Sequence, residues 1–285
     1  MSFNIHRLLS STVEQLMSPT LDPFELFLQD FLLSGAFART FGAAAALDRL
    51  KQFALATYHP LGHHLSYLYV PLGLPPAPGS AVLLQAQAGI NADTTEIQLP
   101  NGYLMPFCTI DIIAVRPSHI VPSRLYTPYA GTRRNRSSLQ RTDKVPIFFR
   151  GVDGGVGVRI SSNADFHNLP DTPTRISASS LKVVLNLLNY KPYERQIRPR
   201  LPSMAGNVTV RRLACLVAMK VRHCLRIAAK ENAKISHWES LRWRFGTGPG
   251  YINVVDVRLL GVVFVSTGKI TPLLEVRSDF VFLFE

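Results

Sequence analysis

The chain has 285 residues, 47% of them hydrophobic, enough to bury a full core in one large domain or two smaller ones. Its net charge is +12, and its 3 cysteines stand at unrelated spacings, which argues against a disulfide framework and points to a reducing compartment, cytoplasm or nucleus. Residues 52–92 lack Asp, Glu, Lys and Arg, but Pro60, His63, His64, Pro71 and Pro75-Pro76 interrupt them short of the ~20 apolar residues of a bilayer span, so no membrane partner is expected.

Residues 1–9 show no basic leader followed by an apolar core, so no secretory signal is expected. The sequons at Asn135 and Asn207 then read as chance matches. Behind Asp22-Pro23, a natural cap and first helical residue, Phe24, Leu26, Phe27, Phe31 and Leu32 predict a helix. Leu47, Leu50, Phe53 and Ala54 predict a second helix over 43–58, forming a helical hairpin broken near Gly42. Residues 71–79, rich in proline, read as a linker or an ordered crossover loop. Strands are predicted over 81–85, 95–99 and 103–107, with Pro100-Asn101-Gly102 as a hairpin turn and 111–115 extending the last strand.

Over 116–144 the hydrophobic pattern gives way to Pro, Ser, Thr and Arg, predicting an exposed loop or interdomain linker. Arg134 stands three before Ser137, a spacing that basophilic kinases accept, although a solvated loop is the preferred reading. Residues 145–149 and the run to 160 predict a strand, a glycine turn at Gly154-Gly155, and another strand. The run 180–189 suits a strand or a helix by periodicity; its Val183-Val184 pair and the following Pro192 favour strand. Residues 257–265 and 270–276 predict a closing hairpin around Ser266-Thr267-Gly268-Lys269.

The fold class expected from this order is α+β: a helical N-terminal part, a mixed or antiparallel sheet, and one long amphipathic basic helix in the C-terminal part. The domains expected are 1–115, a helical hairpin with short strands; 116–144, the linker; and 145–285, an α+β module.

Most of the excess charge lies in 191–244, which holds 13 Lys and Arg against 3 acids. Its centre is a helix predicted over 210–230 behind the cap Thr209. Val210, Leu213, Ala214, Val217, Val221, Cys224, Leu225 and Ala228 share a face that reads as core. Arg211, Arg212, Lys220, Arg222, His223, Arg226 and Lys230 oppose it, and no acid is spaced to pair with them. Arg195 and Arg198 upstream and Arg242 and Arg244 downstream mix with Tyr190, Tyr193, His237, Trp238 and Trp243, and aromatics can stack on bases while Arg holds phosphates. Trp243, between Arg242 and Arg244, also reads as an inward strand residue.

The expected polyanion-binding set is therefore Arg195, Arg198, Arg211, Arg212, Lys220, Arg222, Arg226, Lys230, Arg242 and Arg244. Its partner is nucleic acid, RNA or DNA ahead of an acidic protein. The competing reading is an interaction or scaffold protein whose basic face is only solvated.

The order Tyr190-Lys191-Pro192-Tyr193-Glu194-Arg195-Gln196-Ile197, then the Thr209-capped basic helix, then Arg242-Trp243-Arg244-Phe245-Gly246, then residues 259–272 with Val265-Ser266, resembles the C-terminal module of uncharacterised proteins from mushroom-forming, basidiomycete fungi. The sequence departs from that pattern at Tyr193 and Ile270, where Trp is more frequent. The resemblance implies a compact module and no particular activity.

No catalytic, cofactor or metal assignment follows from the sequence. Gly246-Thr247-Gly248-Pro249-Gly250 is followed by Tyr251-Ile252 where a phosphate loop needs Lys and Ser or Thr, so it reads as a turn. His59, His63 and His64 are separated by Pro60 and Gly62, and Cys215, His223 and Cys224 project in three directions on the helix, so neither group converges on a metal. Asp153, Asp165, His167 and Asp171 fall among glycines and prolines as turn makers, while Asp111 and Asp256, isolated in apolar runs, read as turn or cap residues. An enzyme remains open only through dispersed residues such as Asp165, His167 and Arg195.

Overall fold

The computed structural model describes residues 32–48, 68–69, 81–85, 94–98, 104–126, 145–200, 206–231, 233–234 and 241–283. The chain divides into two compact units, Met1–Pro117 and Ser118–Glu285. Helices and a mixed sheet make it an α+β protein. Among the described residues no helix is long and apolar enough to cross a membrane.

The first unit holds a four-stranded antiparallel sheet of β1 (Leu68–Tyr69), β2 (Ala81–Gln85), β3 (Thr94–Gln98) and β4 (Leu104–Ile112), in the order β1-β2-β4-β3. A short helix, α1 (Ala36–Phe41), ends at Gly42, whose φ of +94° suits glycine and whose N–H donates to Ala38 O at 2.7 Å. Its N-cap residue, Gly35, has no side chain to offer the first turn. The buried carboxylate of Asp111 in β4 takes that part, accepting from Phe37 N at 2.9 and 3.2 Å and from Ile112 N at 2.8 Å. An anion at this end also meets the favourable pole of the helix dipole. Asp111 thus caps a helix from a strand 74 residues away. Residues 43–48 are helical as well. The rest of the expected helical hairpin, residues 22–31 and 49–58, lies outside the described residues, as do the 71–79 segment and the Pro100-Asn101-Gly102 turn.

The second unit is built on β5 (Ile147–Phe148), β6 (Val158–Arg159), β7 (Leu181–Leu185), β8 (Tyr193–Ile197), β9 (Val257–Ser266) and β10 (Lys269–Val276). Their order is β5-β9-β10-β7-β8, with β6 also on β9. All pairs are antiparallel except β7 with β10, which is parallel over Lys182 and Val183 only. That pairing stops short of Pro272, which has no N–H to give a ladder. The β9–β10 hairpin is buried almost continuously and lies at the centre of the sheet. Apolar residues covered on both faces produce such unbroken runs, whereas a half-exposed strand alternates.

Two helices join this sheet, α2 (Ala164–His167) and α3 (Val210–Ala228). α3 packs on β7, β8 and β9 through Leu213, Ala214, Val217, Ala218, Val221, Cys224, Leu225 and Ala228. These side chains join Val183, Leu185, Leu259 and Ile270 of the strands in one apolar core. Removing such a surface from water stabilises by about 25 cal/mol per Å² of apolar area. The helix begins at Thr209, whose Oγ1 accepts from Arg212 N at 3.3 Å.

Residues 118–126 correct the start of the expected linker. Ile120 and Val121 are each 2% exposed, Ile120 bridges Glu275, and Val121 N donates to Leu274 O at 2.9 Å. Ser123 bridges Leu187. The two-residue apolar core of His119-Ile120-Val121-Pro122 is too short to show a period, and its partners come far later in the chain. Residues 127–144, with Arg134 and Ser137, lie outside the described residues.

Candidate polyanion-binding face

The exposed side of α3 faces away from its buried stripe. Arg226 and Lys230 are exposed, Arg222 is half-buried, and Met219 and His223 stand between them. Arg222 and Arg226, one turn apart, are separated by about 6 Å along the helix, and Lys230 follows in the turn beyond its end. The side chains of Arg222, Arg226 and Lys230 have no hydrogen bond or ion pair among the described residues, and the helix itself contains no acid. Like charges at this spacing repel by a few tenths of a kcal/mol per pair, which a bound anion would relieve. Lys220, half-buried at the margin of this face, and Arg198, exposed just after β8, are also unpartnered among the described residues.

The other expected cations are tied into the fold. Arg211 donates from Nε and Nη2 to Leu169 O at 3.1 and 2.7 Å, and from Nη2 to His167 O at 3.4 Å. Arg212 Nε donates to Pro199 O at 2.9 Å. Both stand at the positive end of the helix dipole, an unfavourable place for a cation, and these carbonyls offset the repulsion. Arg242 donates to Ser118 O at 2.9 Å and lies over the rings of Phe282 and Trp243, 4.0 and 5.1 Å from their centroids. Arg244 donates to Leu241 O at 3.1 Å and stacks 4.6 Å from the Tyr251 centroid. Arg195 is exposed on β8, donates to Glu194 O at 3.0 Å, and lies 5.3 Å from the ring of Tyr193. A guanidinium bonded to a carbonyl keeps its charge and its remaining N–H donors, but the bond fixes where it points.

Tyr193 is buried beneath the helix, and its Oη is hydrogen-bonded to His223 Nδ1 at 2.9 Å. Burial, and then the neighbouring Cys224, push the Tyr193 hydroxyl up to about 12, while Arg195 pulls the other way. Burial pushes the Cys224 thiol up to about 12 as well, so it is protonated and unreactive at neutral pH. Cys215 and Cys224 are both free. Trp243 is buried, edge-on to Phe282 at 5.5 Å, in a turn segment rather than the expected strand. His237 and Trp238 lie outside the described residues.

Three acids that the sequence reads as turn or cap residues are bonded within the fold. Asp165 accepts from the Arg159 guanidinium at 2.8 and 2.9 Å and from Arg159 N at 3.0 Å. Those bonds hold its carboxyl down at about 2. Asp153 accepts from Gly155 N at 3.0 Å in the glycine turn, which lowers its pKa. Asp256 closes a capping box with Asn253 and takes Arg277 Nε at 2.8 Å. Among the described residues no three His, Cys, Asp or Glu side chains are grouped to hold a metal. His59, His63 and His64 lie outside them.

Past the C-terminal end of α3 the structure opens a cleft of about 580 Å³, bordered by residues 124–126, 186–187, 189–192, 231 and 234. Its cations, Arg124, Lys191 and Lys234, are absent from the set that sequence reasoning selected. Lys191 and Lys234 sit within the basic window, whereas Arg124 sits in the segment that reads as a linker. No family model, curated protein or solved structure matches the chain.

Proposed function

We propose that the chain is a binding protein that holds a polyanion, RNA or DNA, on the exposed face of its basic helix. One observation carries the reading: Arg222 and Arg226 on the helix and Lys230 just past its end lie away from the buried stripe, without acids on the helix and with side chains unpartnered among the described residues. Folding uses Arg211, Arg212, Arg242 and Arg244 for carbonyls and rings, but it leaves the side chains of these three without a partner among the described residues. Contacts of such cations with phosphates carry no sequence information, so binding through them is expected to be largely independent of sequence. A protein of this kind works in the cytoplasm or nucleus, in keeping with the two free thiols. In the same reading the N-terminal part is largely helical and α3 is the principal basic element.

The test is retention of an RNA oligonucleotide and a DNA duplex by the wild-type chain and by Arg222→Glu/Arg226→Glu/Lys230→Glu, at two salt concentrations. Three phosphate contacts contribute a slope of about −2 in log affinity against log salt on a single strand, or roughly 16-fold between ~50 and ~200 mM. The variant is expected to fold normally, to bind at least that much more weakly and to lose that part of the salt dependence. Equal, salt-insensitive retention by both folded proteins would refute the helix face as the site. No retention by either would favour the scaffold reading.

A further inference from the structure

The cleft past α3 has walls held by bonds that leave its cations unused. Arg124 N donates to Asn186 O at 2.9 Å and Asn186 Nδ2 returns to Arg124 O at 3.3 Å. Lys234 N donates to Asn189 O at 2.9 Å, fastening the segment after the helix to the turn after β7. Asn189 makes that turn with a φ of +72°, a left-handed conformation that asparagine tolerates better than most residues. Backbone and amide groups therefore build the walls. The side chains of Arg124, Lys191 and Lys234 are exposed, and none has a hydrogen bond or ion pair among the described residues.

Glu231 contributes the one carboxylate of the lining, and it is not paired with any of the three cations. Three cations against one anion leave the cleft with an excess of two positive charges. Two tyrosines also line the cleft. Tyr190 Oη accepts from Phe245 N at 2.8 Å, and Tyr126 Oη accepts from Lys269 Nζ at 3.0 Å. Both bonds run to residues outside the cleft lining and fix the two rings in its walls. Leu125, Leu187 and Pro192 give the cleft an apolar side, and its volume falls within the range of small-molecule sites, about 300–1,000 Å³.

We propose that this cleft binds a nucleoside monophosphate, with the phosphate among Arg124, Lys191 and Lys234. The flat base covers the apolar side, and a ligand hydroxyl or amine donates to Glu231. A phosphate monoester alone would leave the apolar side and Glu231 unused; an uncharged nucleoside would leave the cations unused. The proposal does not rest on the helix face, because none of the cleft's cations belongs to it.

The experiment is calorimetric titration of the full chain with adenosine 5′-monophosphate, adenosine and inorganic phosphate at low salt. One-site saturable binding of the monophosphate is expected, with adenosine and phosphate each at least tenfold weaker. Arg124→Gln/Lys191→Gln/Lys234→Gln should weaken the monophosphate at least tenfold while melting like the wild type, and Arg222→Glu/Arg226→Glu/Lys230→Glu should leave its affinity unchanged. Absence of binding by the wild type overturns the proposal, as does equal affinity in a folded cleft variant. Loss in the helix variant alone also overturns it, since that assigns the phosphate to the helix face.

Discussion

Arg211 and Arg222 lie on the same helix, and only their surroundings separate a structural cation from a binding one. Arg211 closes on Leu169 O, 42 residues earlier, and Arg242 reaches Ser118 O across 124 residues. Charge counting along a sequence weighs all these residues alike, because a carbonyl acceptor leaves no mark in residue type. The same holds for Asp165, which reads as a turn maker and proves to be the partner of Arg159. Its folded pKa of about 2 lies below the ordinary carboxylate value of about 3.9, so its contribution to stability is full above about pH 4 and fades as pH falls through 2. Asp165→Asn should therefore melt a few degrees lower than the wild type at pH 7, and the two melting curves should converge near pH 2. A constant gap across that range would show that the ion pair is not the source of the difference.

At the level of elements, local chemistry was legible where a strand or helix carries its own signal. Thr209 caps α3, the face Leu213, Ala214, Val217, Val221, Cys224, Leu225 and Ala228 is buried, and β9 and β10 meet as a hairpin. Val210 on that face is only half-buried, and Ala218, outside it in the sequence reading, is fully buried. What was not legible depends on distant pairing: the parallel contact of β7 with β10, the packing of residues 118–126, and the cap that Asp111 gives to α1. Gly261 shows the same dependence on distant pairing. A Cβ there would stand 2.5 Å from Ile147 O and 3.0 Å from Phe148 Cα, so β5 approaches β9 only over a residue without a side chain. Gly261→Ala should cost about 2 kcal/mol, within the range for overpacking, in chemical denaturation. Gly268→Ala, at a turn position where a Cβ meets nothing within 4 Å, should be close to neutral. Equal effects at the two sites would deny the close approach of β5.

Across the whole molecule, the division at Pro117 has a physical basis in the composition of the second core. The apolar cluster that joins α3 to the sheet runs from Val121 to Phe282, and every buried member of it lies in residues 118–285. The sequence placed a module boundary at 145 because 116–144 lacks a hydrophobic pattern; burial of Ile120 and Val121 against β10 moves the first residues of that segment into the second unit. A unit with its own sheet, helix and core meets the requirements for independent folding. Residues 118–285 alone should therefore unfold in one cooperative thermal transition, whereas residues 145–285, lacking the strip that pairs with β10 and with residues 186–187, should melt earlier or without cooperativity. If the helix face is the polyanion site, the longer fragment should also keep the salt-dependent retention of the full chain, because Arg222, Arg226 and Lys230 and the core beneath them are all within it. A non-cooperative melt of residues 118–285 would show that the second core needs the first 117 residues; a cooperative melt without retention would move the binding surface to those residues.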